Sequence, residues 1–328
     1  MVRIRVLGGG WYGCHIAKTL SEEGYQVELH ERAPRLFSGA SGGNPARLHL
    51  GFHYPRSRLT RAASQEHYLA FMEQYGHLTR AVPINLYCIA AHDSLLDFGT
   101  YRQVLQGELE FVTVHEPSDF GLTNIEGALL TGERHIVINA ARDYYEKELA
   151  SLVRYQTPPE ERDDFDWTID CTFCARDNAA IDRYEPCLTV LLEGPTDKAI
   201  TIMDGPFPSI YPWNEDMGLS SLTSASLTPF SKSLKTHEEA TAVLNSQTVE
   251  SIRERCQAMV QQIAHFYPAV LEKYRVADYK LTIRAQPRSG SDARLVDIVQ
   301  TAPRVLRIRA GKIDAILHAR EMLKEWLP

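Results

Sequence analysis

Apolar and polar positions alternate from Val2 to Leu7, and the run Gly8-Gly9-Gly10 stops the alternation. The spacing then becomes helical over Trp11 to Glu23, with Ile16, Ala17 and Leu20 on one face, and Gly24 ends it. Tyr25 to His30 returns to a strand pattern in which Val27 and Leu29 point inward. Strand, glycine turn, helix and strand in this order have the length of a βαβ unit.

The same reading places helices over Thr60 to Tyr75, Ala140 to Tyr155 and Gly311 to Leu327, and one long helix over Thr236 to Tyr267. It places strands over Ile84 to Ala91, Leu109 to His115, Trp167 to Cys171, Tyr279 to Arg284 and Val305 to Ile308. Leu188 to Leu192, Ala199 to Met203 and Pro208 to Trp213 read as consecutive strands of an antiparallel sheet. Residues 36–58 are rich in Gly, Ser and Asn and follow no period, and a loop that long inside a compact protein is usually functional. Pro158 to Asp164 reads as an acidic loop. A βαβ start and a strand–helix end bracket a β-rich block. The chain is therefore expected to be α/β, a Rossmann-like nucleotide domain built from residues 1–79, 131–181 and 278–328. A mixed β-sheet substrate domain, residues 80–130 and 182–277, is inserted into it.

Composition narrows the class. The chain has 328 residues, 44% hydrophobic and 23% charged, as expected of a soluble globular protein. A formal net charge of −7 argues against general nucleic-acid binding. No run of 18 apolar residues occurs, so no membrane span is expected. Glycines directly after the first strand do not suit a secretory segment, and six scattered cysteines suit free thiols in the cytoplasm. Cys171 and Cys174 have C-x-x-C spacing but no second pair of ligands, so no metal site is expected there.

The first turn, Gly8-Gly9-Gly10-Trp11-Tyr12-Gly13, fits G-x-G-x-x-G. Gly8 permits the tight turn, Gly10 lets backbone approach a pyrophosphate, and Gly13 lets the helix pack on the sheet. The helix start offers free N–H groups and a partial positive charge to phosphates. Glu31 ends the second strand, where a carboxylate accepts from ribose hydroxyls and repels a 2′-phosphate, which disfavours NADP.

The segment Gly39-Ala40-Ser41-Gly42-Gly43-Asn44-Pro45-Ala46-Arg47-Leu48-His49-Leu50-Gly51-Phe52-His53-Tyr54 resembles the second flavin-contact segment of the D-amino-acid oxidase-like flavoproteins. It is most similar to the glycerol-3-phosphate dehydrogenase and L-2-hydroxyglutarate oxidase branches. Ala310-Gly311-Lys312-Ile313 resembles the turn opening their last helix, and Trp167 to Thr172 resembles the strand passing the centre of their flavin domain. The resemblance implies FAD as cofactor and a substrate domain over the flavin. Carried over by position, it implies that Gly8, Gly10, Trp11, Tyr12, Gly13, Glu31 and Arg32 hold the ADP part. Ser41, Gly42, Asn44, Arg47 and Leu48 would follow the pyrophosphate and ribityl chain, with Thr172, Gly311, Lys312 and Ile313 near the ring. Asn44-Pro45 departs from the small polar residues usual there, and the chain is short for the family.

Arg47, His49, His53, Tyr54 and Arg56 fall within ten residues, and alternation puts Arg47, His49 and His53 on one side. A histidine there can take a proton from a hydroxyl or ammonium group as hydride leaves for flavin N5. Arg47, His49, His53 and Tyr54 are thus the candidate catalytic residues. Neighbouring arginines suit a carboxylate or phosphate, as do Lys280, Arg284, Arg288 and Arg294 before the last strand. Tyr211 suits either the pocket wall or the core. The expected substrate is a small anionic or amine-bearing molecule: an amino acid, hydroxy acid or amino sugar. An NAD-linked dehydrogenase accounts for the βαβ unit but not for the Gly39–Tyr54 loop, and a flavin-binding protein without net redox turnover is the third alternative.

Overall fold

The computed structural model describes residues 1–157, 164–173, 175, 181–287, 296–309 and 311–328. The chain begins β1 (Arg3–Leu7), α1 (Trp11–Glu22), β2 (Gln26–Glu31), α2 (Ala40–Gly43), β3 (Arg47–Leu48), α3 (Arg58–Tyr75) and β4 (Thr79–Ala81). It crosses into β5 (Ile84–Ala90), α4 (Phe98–Leu105), β6 (Phe111–Val114) and β7 (Ile125–Thr131), then returns through β8 (Arg134–Ile136), α5 (Ile138–Glu148), β9 (Val153–Tyr155) and β10 (Trp167–Asp170). A second excursion follows: β11 (Ile181–Glu193), β12 (Lys198–Met203), β13 (Pro208–Asn214), β14 (Leu219–Ser224), α6 (His237–Asn245), α7 (Val249–Ala264), α8 (Val270–Lys273) and β15 (Arg275–Pro287). The chain closes with β16 (Asp297–Ala302), β17 (Val305–Arg309) and α9 (Ile316–Leu323).

Three sheets result. The first is six-stranded, in the order β16-β17-β10-β1-β2-β9. Its strands are parallel except for the β16–β17 pair. Ile4, Val6 and Leu29 are fully buried, as parallel strands covered on both faces require. The second is eight-stranded and mixed, β15-β11-β14-β13-β12-β5-β7-β6. A small sheet, β3-β8-β4, lies between them in the chain's course. The two largest apolar clusters lie one around β1, α1, α5 and α9 and the other between the eight-stranded sheet and α7, with smaller clusters beside them.

Several expected elements take another form. The helix expected over 140–155 ends at Glu148, and Val153–Tyr155 pairs in parallel with the free edge of β2. The run expected as one helix over 236–267 is two, because Thr236 and Thr248 each form a capping box and so each starts a helix. The strands expected to be consecutive are not neighbours throughout. β12 pairs with β13 and, in parallel, with β5, while β14 separates β11 from β13. The serines of β14 hid that strand, yet Ser220 and Ser221 are buried and donate to the carbonyls of Pro195 and Tyr211. Residues 278–287, expected with the nucleotide sheet, lie in β15, an edge of the eight-stranded sheet. Gly311 and Lys312 precede a short 3-10 turn, Ile313–Ala315, and the last helix starts only at Ile316. No helix among the described residues is long and apolar enough to cross a membrane.

The first turn is held by backbone contact. A Cβ on Gly13 would sit 1.9 Å from the Gly8 carbonyl oxygen, and one on Gly8 would sit 2.9 Å from the Cys171 carbonyl oxygen. Gly8 also has φ +96°, a region that favours glycine. Gly13→Ala is expected to destabilise the protein by about 1–3 kcal/mol, as overpacking against fixed backbone does. A denaturant melt of the two proteins checks this, and Gly24→Ala, where a Cβ meets no atom within 4 Å, reports the cost of positive φ without a clash.

Candidate active site

One cavity of about 1500 Å³ runs between the two large sheets. At one end it is walled by Glu31, Arg32 and Thr157, in the middle by Gly8–Tyr12 and Ser38–Ser41, and at the other end by His49, Tyr54 and Lys312. The start of α1 opens into it. Gly10 supplies no side-chain cap, and the Trp11 N–H donates to Ser41 Oγ at 3.1 Å. A Cβ on Gly10 would lie 2.8 Å from that same oxygen and would displace it from the Trp11 N–H. Trp11 Nε1 is a buried donor without a partner among the described residues.

Glu31 does more than face a ribose. Its Oε2 accepts from the Gly9 N–H at 2.6 Å and its Oε1 from the Ala33 N–H at 2.8 Å. A carboxylate has about four acceptor positions, so two remain for ribose hydroxyls. Thr172 donates to Asp170 at 2.6 Å, and Asp170 is paired with Arg307 at 3.1 Å in the interior. Tyr12 ties the chain's two ends together. Its hydroxyl donates to the Lys312 carbonyl at 2.6 Å and accepts from the Gly311 N–H at 3.2 Å.

Of the expected cofactor residues, Gly8, Gly10, Trp11, Tyr12, Glu31, Arg32, Ser41, Asn44, Arg47, Thr172, Gly311, Lys312 and Ile313 line the cavity. Gly13, Gly42 and Leu48 do not form its walls. Gly13 packs on Gly8, a Cβ on Gly42 would meet the Phe37 carbonyl at 2.0 Å, and Leu48 is fully buried in the core behind the loop. The candidate catalytic residues Arg47, His49, His53 and Tyr54 all line the far end. The His49 ring lies 5.6 Å from that of His53 and 6.0 Å from that of Tyr54, and Lys312 Nζ sits 3.8 Å from the Tyr54 ring centre.

The arginines are less available than the sequence implies. Arg56 pairs with Asp204 at 3.2 Å, and Arg284 Nε donates to Glu185 at 2.8 Å. Lys280 pairs with Asp278 in solvent, while Arg288 and Arg294 lie outside the described residues. Arg47 touches no carboxylate among the described residues. It reaches Thr201 at 3.3 Å and lies over the Tyr211 ring at 4.7 Å, with its Nε buried and without a partner. Tyr211 itself is core, its hydroxyl accepting from Asn85 at 3.0 Å. Cys171 is a free thiol, Cys174 lies outside the described residues, and no metal-ligating cluster occurs among the described residues.

Two acids were not foreseen. Glu133, 1% exposed, stands behind His49, its Oε2 3.5 Å from His49 Nδ1. Burial pushes His49 below its ordinary range, with Glu133 acting against the fall. Burial alone would raise the Glu133 carboxyl, but His49 and the donors Tyr87 and Leu50 outweigh it and hold the acid ionised. Asp314, 3% exposed, follows the Lys312 turn, and no side chain among the described residues donates to its carboxylate. Neither acid sits in a motif; Asp314 stands between the apolar Ile313 and Ala315, whereas Glu133, between Gly132 and Arg134, carries no such mark.

A parallel nucleotide sheet, a bare helix start over a long cavity and a second sheet closing it define a dinucleotide-dependent oxidoreductase, and the cradle fits FAD. Residues 3–142 match the family model described as FAD dependent oxidoreductase, DAO. The chain is 36% identical to an FAD-dependent monooxygenase of Fusarium mangiferae over 97% of its own length and 89% of the relative's. Its fold is similar to that of glycine oxidase from Geobacillus kaustophilus, at a TM-score of 0.65 and 14% identity, covering 98% of this chain and 92% of that one. It is similar also to L-amino acid deaminase from Proteus vulgaris, at a TM-score of 0.69 and 11% identity, covering 99% and 93%. The chain belongs to the DAO family of FAD-dependent oxidoreductases.

Burial raises the Asp314 carboxyl from its ordinary 3.8 to about 6. The folded state then binds this proton more tightly than the unfolded chain, so stability is lost as pH rises from 3.8 through about 6. The full penalty, roughly 3 kcal/mol at most, applies above that window. Asp314→Asn is expected to be more stable than the parent at pH 8, with the advantage shrinking by pH 5. Urea unfolding of both proteins at the two pH values measures it.

Proposed function

We propose that the protein oxidises a C–N or C–O bond of a small polar molecule, with His49 accepting the proton of the substrate's amino or hydroxyl group. Bound FAD supplies the hydride acceptor. The protein's residues supply the rest. Gly8, Gly10 and the start of α1 hold the anionic diphosphate, and Glu31 holds the ribose. Lys312 lies at the cavity end where negative charge must be balanced. His49 is the residue on which this reading rests. It is a cavity-lining imidazole kept neutral by burial, with one ring nitrogen turned to Glu133 and the other left for the substrate.

Arg47, which touches no carboxylate among the described residues, suits a carboxylate or an electron-rich oxygen of the substrate. An amino acid, a hydroxy acid and an amino sugar all meet these requirements. The name of the Fusarium relative favours a second reading, in which one oxygen atom enters the product. Labelled oxygen separates the two. Heavy oxygen appears in the product under the second reading and only in water or hydrogen peroxide under the first.

The purified protein is expected to be yellow, and anaerobic addition of a substrate amine or hydroxy acid is expected to bleach it. His49→Ala is expected to lower kcat by about 10²- to 10⁴-fold while the protein stays yellow. An unchanged kcat in that variant would overturn the assignment of His49, and a colourless protein that takes up no FAD would overturn the whole reading.

A further inference from the structure

Glu133 reaches the site by register. β3 and β8 pair antiparallel, Arg47 opposite His135 and Leu48 opposite Arg134. One more step along each chain sets His49 opposite Glu133, in the turn before β8. The carboxylate is enclosed and takes donors on both oxygens. Oε1 accepts from the Leu50 N–H at 2.7 Å, and Oε2 accepts from the Tyr87 hydroxyl at 2.6 Å. Oε2 also lies 3.5 Å from His49 Nδ1, and the Tyr87 oxygen lies 3.5 Å from the same nitrogen.

Burying a carboxylate is costly, and an apolar or amide side chain would fill the space for less. What a carboxylate adds is a restriction, because when ionised it only accepts. The Tyr87 proton is already committed to Oε2 in the shorter of its two contacts, so it is not offered to His49. The only proton that suits the space between His49 and Glu133 is one carried on Nδ1.

We infer that Glu133 is a positioning residue that fixes His49 as the Nδ1–H tautomer and leaves Nε2 as the acceptor facing the cavity. The catalytic meaning of this rests on His49 as the proton acceptor, whereas the tautomer itself does not. The other ionisable groups that act on His49 are Lys312 and Arg47, with His53 and Tyr54 in ring contact. Loss of the carboxylate therefore removes the one anion that raises the His49 pKa, and the acid limb of the pH profile must move to lower pH.

The test uses the FAD-loaded enzyme labelled with ¹⁵N-histidine. Long-range ¹H–¹⁵N correlation assigns His49 by its disappearance in His49→Gln. The inference requires a protonated Nδ1 and a bare Nε2 in the parent at pH 8. Glu133→Gln, whose amide can donate, is expected to invert or mix that pattern and to lower kcat roughly 10–100-fold with little change in KM. Its acid limb should move to lower pH, and Glu133→Asp should restore the tautomer and part of kcat. A parent His49 carrying its proton on Nε2 would overturn the inference even if no Glu133 variant folds. So would a Glu133→Gln enzyme with unaltered tautomer and pH profile. An Nδ1–H His49 in an enzyme whose kcat survives His49→Gln would uphold the positioning and remove the proton-acceptor reading instead.

Discussion

Everything in this protein is arranged around one backbone contact, the Gly8 carbonyl pressed against the α-carbon of Gly13 with the Cys171 carbonyl closing on Gly8 from the other side. No side chain fits at either glycine, so β1 passes into α1 with no slack. The first turn of that helix is consequently aimed at the cavity rather than into solvent. The end of β10 lies against the turn, and the buried Asp170–Arg307 pair fastens β10 to β17. Removing either partner would leave an uncompensated buried charge, so the two strand ends are held together more firmly than a surface pair would hold them. From β17 the chain reaches Gly311 and Lys312, which return to Tyr12 through two hydrogen bonds. The first and last segments thus meet at the same few residues, and the cavity wall is continuous although its sequence is not.

Electrostatics divides the cavity in two. At the nucleotide end the positive character comes from backbone N–H groups, which need no counter-charge and accept an anion without displacing a side chain. At the other end the guanidinium groups of Arg56 and Arg284 already face Asp204 and Glu185. A substrate anion would have to compete with those carboxylates, and the competition removes most of what a bidentate contact offers. Arg47 differs because its neighbours are a hydroxyl and a ring face, neither of which neutralises it. Arg47 is therefore less neutralised by its surroundings than Arg56 or Arg284, which face carboxylates.

The βαβ unit was legible because its signal is local: alternation, three glycines, a helical period and an acid, all within thirty residues. Most of the residues expected at the site line the cavity for the same reason, since the 36–58 loop carries Ser41, Asn44, Arg47 and His49 in one stretch. What failed was whatever depends on a distant partner. Val153–Tyr155 becomes a strand only because β2 has a free edge, and β14 is a strand of serines only because neighbouring carbonyls take the hydroxyls. The pairing of Arg284 with Glu185 and the place of Glu133 both arise from strand register, which no short window of sequence contains.

The 36–58 loop also explains how two sheets act as one site. Near its start the Phe37 N–H donates to the Gly9 carbonyl, and Ser41 Oγ accepts from the start of α1. Further on, Arg47 reaches Thr201 on β12 and lies over Tyr211 on β13, while His49 backs onto Glu133 and, through it, Tyr87 on β5. The loop is thus anchored to the nucleotide turn at one end and to the eight-stranded sheet at the other, with only a handful of residues between. Any relative shift of the two sheets must be taken up inside that stretch, where the backbone has positive φ at Phe37, Ala46 and Gly51. Such positions resist gradual deformation, because each holds a conformation reached at some cost and retained only by its surroundings. The distance between the glycine turn and His49 is therefore set by the loop itself, and the sheets are registered to it rather than the reverse.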